Sequence, residues 1–201
     1  MSERKIKIPC ENGIELEGLM DSGSTGRGVV AVHPHPLYGG DMTNNVVETI
    51  VGAYRKQRHA TLRFNFRGVG ASTGDHDDGI GEQADLLAAF QFLKGQGIES
   101  IDLAGYSFGA WVIAKAAGKI PADRIIMVAP PAAMMDFDEN IRIPGLKLVI
   151  TGSRDEFAPV DRIKELTAAW DPAAAFEVID GADHFFLGYA QRLTEILCQY
   201  I

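Results

Sequence analysis

A chain of 201 residues, 46% hydrophobic and 23% charged, has enough apolar content for one compact core and needs no second domain. Its formal charge of −8 argues against nucleic acid and anionic membrane surfaces as partners, because both would repel the average face of the molecule. No apolar stretch approaches the ~18 residues of a spanning helix. Two cysteines, Cys10 and Cys198, lie near opposite ends without a C-x-x-C pattern, which supports neither a zinc site nor a redox pair. A soluble, unexported, cytoplasmic protein with reduced thiols is expected.

Two strands, 5–8 and 14–20, flank Glu11-Asn12-Gly13, where Asn-Gly predicts a hairpin. A Ser/Gly/Thr linker, 22–26, leads to the continuous apolar run 28–32, a strand buried on both faces and therefore central. Strands and helices then alternate: a helix over 44–58, a strand over 59–66, a helix over 81–94, a strand over 101–106 and a helix over 108–117. Strands follow at 124–129 and 146–151, then a helix at 159–170, a strand at 174–179 and a last helix at 185–200. This is an α/β pattern: a mostly parallel sheet with helices on both faces and an antiparallel hairpin at the start, in one domain over 1–201. There is no internal repeat and no low-complexity tract.

In such sheets ligands bind beyond the carboxyl ends of the strands. Polar residues fall at five strand ends: His33 and His35, Asn65 and Arg67, Ser107, Asp155, and His184. Ser107 stands in Gly105-Tyr106-Ser107-Phe108-Gly109, a G-x-S-x-G pattern between a strand and a helix. The glycines leave room where neighbours two positions from a sharply turned serine press on backbone. The turn exposes the hydroxyl and places the Phe108 amide, at the positive end of a helix, beside it.

A serine needs a base, normally a histidine oriented by a carboxylate. The order Ser107, Asp155, His184 supplies all three. Asp180 and Asp183 compete for the acid role, but Asp183 adjoins His184 and would need a backbone reversal to orient its ring. Each residue alone fits a plainer reading: Ser107 and Asp155 as helix caps, His184 as a ring packed beside Phe185 and Phe186. The three together at strand ends favour nucleophilic chemistry. Acyl transfer also needs oxyanion donors. One is the Phe108 amide. The other falls in His33-Pro34-His35-Pro36-Leu37-Tyr38-Gly39-Gly40, where the prolines have no N–H, so His35 or Leu37 donates.

These motifs, with Asn65-Phe66-Arg67-Gly68-Val69-Gly70-Ala71-Ser72, Gly152-Ser153-Arg154-Asp155 and Gly181-Ala182-Asp183-His184, resemble the α/β-hydrolase superfamily over essentially the full chain. The chain is most similar to small, lidless members such as dienelactone hydrolases and short bacterial serine esterases. The resemblance implies hydrolysis of a carboxylic ester through an acyl-enzyme, within EC 3.1.1, with a small-molecule acyl substrate and no cofactor or metal. It departs from dienelactone hydrolases in having Ser107 where they have cysteine, and from the usual Asp before Arg-Gly-x-Gly in having Asn65, which reads as part of a structural turn. Segment 130–145 is too short for a helical cap, so an open groove is expected, with Pro131, Met134, Met135 and Phe137 as one apolar wall and Tyr38 opposite. The same Met and Phe residues equally suit packing over the core.

Three other readings compete. The His33/His35 pair suggests a metal-dependent hydrolase, although Asp41 is the only nearby acid. Gly68-Val69-Gly70 to Gly74 approximates a dinucleotide loop, with its last glycine one position late. A non-catalytic binding module on the same fold is the third. Ester, thioester, lactone and peptide substrates share one type of intermediate, and the sequence leaves the choice among them and the oligomeric state open.

Overall fold

In the computed structural model, which describes residues 3–201, β1 (Arg4–Pro9) runs antiparallel to β2 (Glu15–Asp21). Asn12 makes the turn between them in the left-handed region, φ 56°. The remaining elements are β3 (Arg27–Val32), α1 (Asn45–Lys56), β4 (Ala60–Phe64), α2 (Ile80–Gly95), β5 (Ser100–Tyr106), α3 (Phe108–Lys115), β6 (Ile125–Val128), β7 (Leu146–Gly152), α4 (Val160–Trp170), β8 (Ala175–Ile179) and α5 (Ala190–Tyr200).

The sheet order is β1-β2-β4-β3-β5-β6-β7-β8, with β2 antiparallel to β4 and every pair from β4 to β8 parallel. β3 is central and Val29 to Val32 are wholly buried, which is why that strand is apolar throughout rather than alternating. Helices cover both faces, α1 packing beside α5 and α2 beside α3. The register pairs Val32 with Gly105, Tyr106 with Val128, Val128 with Ile150 and Gly152 with Ile179. Loops leaving β3, β5, β7 and β8 therefore emerge level along one rim.

The loop after β4 serves the fold. Arg67 forms a buried ion pair with Asp85 of α2, its Nη2 2.8 Å from Oδ1, and its backbone N–H donates to Oδ2. Asn65 accepts from the Met42 amide and donates to Glu17. The structural-turn reading fits these contacts. Segment 75–79 separates the Gly68–Gly74 turn from α2, so those glycines do not open a helix as a dinucleotide loop would.

The last helix begins at Ala190 rather than at residue 185. Phe186 takes φ 53° and the Tyr189 amide donates to its carbonyl, so 185–189 form the turn that carries the chain away from His184. The stretch from β6 to β7 has no helix, hence no cap over the rim. Both cysteines are free and half-buried. Among the described residues no helix is long and apolar enough to cross a membrane.

Candidate active site

Ser107 sits at the joint between β5 and α3 with φ 54° and ψ −118°, a backbone state that side-chain-bearing residues seldom adopt. The flanking glycines are needed against different neighbours. A Cβ on Gly105 would fall 2.6 Å from the Gly109 carbonyl, whereas one on Gly109 would fall 2.6 Å from the Val32 carbonyl oxygen. The expectation that the elbow presses on itself thus describes Gly105; Gly109 presses on β3.

His184 Nε2 lies 2.9 Å from Ser107 Oγ, and His184 Nδ1 lies 3.0 and 2.9 Å from Asp155 Oδ1 and Oδ2. None of the three residues is more than 8% exposed. With Asp155 as a carboxylate, the proton between it and the ring belongs to Nδ1, and the Nε2 lone pair faces the serine hydroxyl. Asp155 Oδ1 also accepts from the Phe157 and Ala158 amides at 2.9 and 2.8 Å, so the capping reading is realised alongside the contact with His184. Asp183 instead accepts from the Phe185 amide and Asp180 from the Ser153 hydroxyl. Tyr106 donates its hydroxyl to the His184 carbonyl oxygen at 2.9 Å, tying the histidine loop to β5. Burial first, then the nearby Asp155 charge, push its phenol pKa well above the usual tyrosine range, which keeps it a donor.

The two candidate loop amides differ. The Leu37 amide donates to His35 Nδ1 at 3.2 Å and is occupied, whereas the His35 amide has no acceptor among the described residues. The Phe108 amide, the first of α3, is free as well. His33 is wholly buried and uses both ring nitrogens: Nδ1 donates to the Pro34 carbonyl oxygen at 2.6 Å and Nε2 accepts from the Phe66 amide at 3.0 Å. Burial lowers its pKa to about 4. The His33/His35 pair is not arranged as two metal ligands, because both His33 ring nitrogens are engaged, and among the described residues no group of three or more His, Cys, Asp or Glu is placed to hold a metal.

A cleft of about 440 Å³ opens over Ser107 and His184, with Tyr38, Met134, Met135, Phe157 and Phe185 among its walls. Tyr38, Met134 and Met135 line this cleft. Phe137 does not: it is buried against Trp170, ring centroids 5.3 Å apart, because the chain turns inward after Asp136. Leu37 is 70% exposed and outside the lining. The sequence reading missed Tyr106, Phe157 and Phe185 as contributors. Each is adjacent to, or two residues from, Ser107, Asp155 or His184, and that adjacency was the available signal. A second depression, about 460 Å³, lies near the starts of β3 and β4 between Asp21, Arg55, Lys56, Arg58 and His59, remote from Ser107.

Residues 29–146 match the model of the alpha/beta hydrolase family. An uncharacterized protein of Rickettsia prowazekii is 30% identical over 183 residues, covering 86% of this chain and 77% of that protein. The structure superposes with a TM-score of 0.92 on an alpha-beta serine hydrolase homologue from Coxiella burnetii, 34% identical, over 99% of this chain and 97% of that one. It superposes with a TM-score of 0.91 on a serine hydrolase without a lid from Xanthomonas campestris, 29% identical, over 99% of this chain and 93% of that one.

Proposed function

This chain belongs to the alpha/beta hydrolase family, and from that premise we propose that it is a serine hydrolase cleaving a carboxylic ester, or a related acyl bond, of a small substrate. The observation that carries the reading is the unbroken hydrogen-bonded series Ser107, His184, Asp155 at the floor of an apolar cleft. Ser107 Oγ attacks the acyl carbon while His184 Nε2 takes its proton, and Asp155 stabilises the imidazolium that forms. The carbonyl oxygen, gaining negative charge, falls between the free amides of Phe108 and His35. In a trans peptide the C=O and N–H point in opposite directions. By holding the Pro34 carbonyl from inside the fold, His33 aims the His35 N–H outward, toward the cleft.

His184 then returns its proton to the departing alcohol, leaving an acyl-enzyme. Water, deprotonated by the same imidazole, attacks the ester on Ser107 and releases the acid. The test is turnover of 4-nitrophenyl esters of increasing acyl length, by wild type and Ser107→Ala in parallel. Hydrolysis by wild type alone supports the reading; equal hydrolysis by both proteins overturns it.

A further inference from the structure

We propose that the cleft admits acyl substrates whose acyl chain is neutral and apolar and rejects those whose chain carries a carboxylate or phosphate. This rests on the serine-hydrolase reading and assigns its substrate class. None of the residues that line the cleft is Lys or Arg. Of the cations in the loops beyond the strand ends, Arg67 is consumed by Asp85, Arg142 donates to the Ala169 carbonyl oxygen, and Arg142 and Arg154 both stand outside the lining. His35 does line the cleft, but its Nδ1 is already an acceptor for the Leu37 amide, and burial together with neighbouring His76 lowers its pKa, so the ring is neutral near pH 7. His76 Nδ1 lies 2.8 Å from Glu82 Oε1.

The walls point the same way. Tyr38, Met134 and Phe185 are 77%, 57% and 53% exposed at the mouth, an apolar rim of a kind a soluble protein keeps for a ligand. The loops that line it also bear Asp41, Asp136, Glu156 and Asp183. An anion entering would lose water to apolar side chains, find no cation in exchange and meet like charge on the surrounding loops.

The experiment compares two esters with one skeleton, methyl 4-nitrophenyl adipate and mono-4-nitrophenyl adipate, which differ in whether the distal carboxyl is capped. We expect kcat/KM for the neutral ester to exceed that for the anionic one by about 100-fold or more. Met134→Arg, which places a cation in the wall, should shrink that ratio at least about tenfold. A wild-type ratio below tenfold, with Ser107 labelled by a neutral fluorophosphonate, overturns the selectivity and leaves the serine-hydrolase reading standing. Failure to turn over either ester, with no label on Ser107, overturns both.

Discussion

Asp155→Asn separates the chemistry of Asp155 from its structural work. Oδ1 accepts the Phe157 and Ala158 amides, and a substituted amide keeps an oxygen there. Its NH2 then takes the place of Oδ2, the nearer of the two oxygens to His184 Nδ1, and Oδ1 stays committed to the two amides. Two donors cannot face each other, so the imidazole moves its proton to Nε2 and presents N–H, not a lone pair, to Ser107. Turnover should fall about 10³- to 10⁴-fold, by analogy with the same change in other Ser-His-Asp enzymes. At 1.36 kcal/mol per tenfold that is roughly 4 to 5.5 kcal/mol of barrier. Stability in urea should stay within about 1 kcal/mol of wild type, because the caps survive. Asp155→Ala should lose the same activity and also strand two amides, at about 1–3 kcal/mol each. The assay is kcat on a neutral 4-nitrophenyl ester beside urea unfolding of all three proteins. A kcat within tenfold of wild type for Asp155→Asn, or destabilisation equal to that of the Ala variant, refutes the reasoning.

Two further outcomes follow from buried charge. His33 has a folded pKa of about 4, below its unfolded value near 6.5, so its contribution to stability is complete above 6.5 and lost as pH falls through 4. The unfolded chain binds the extra proton in that window, which amounts to about 3 kcal/mol. Urea unfolding at pH 7.5 and 4.5 should show a smaller pH-dependent loss in His33→Gln than in wild type; equal losses contradict the assignment. Asp85→Ala leaves Arg67 buried without its partner and should cost about 3–5 kcal/mol, read as a shift in the urea midpoint. A shift under about 1 kcal/mol would show that water replaces the carboxylate freely.

The sequence made the sheet legible because buried strands such as 28–32 are apolar without interruption and alternate with longer helical segments. Chain order placed Ser107, Asp155 and His184 after β5, β7 and β8, and the register brings those ends level. Less legible was anything decided by a local backbone reversal. The turn at 185–189 replaces the first turn of the expected last helix, because Phe186 adopts a left-handed φ that its side chain does not advertise. Phe137 reads as a wall residue beside Met134 and Met135, yet stacking on Trp170, 33 positions downstream, buries it. Periodicity over the irregular segment 129–145 cannot distinguish facing a cleft from facing the core. What distinguishes the His35 and Leu37 amides is one hydrogen bond, Leu37 N–H to His35 Nδ1, made within the loop itself, which no sequence pattern announces.

The central claim is that Ser107, activated through His184, is the nucleophile. A neutral alkyl fluorophosphonate reacts only with such a hydroxyl, and intact and peptide mass spectrometry locate the adduct. One adduct on the peptide containing Ser107, absent from Ser107→Ala and strongly slowed in His184→Gln, is the predicted result. Labelling that persists in Ser107→Ala, or an esterase-active wild type that takes no label at Ser107, would contradict the account.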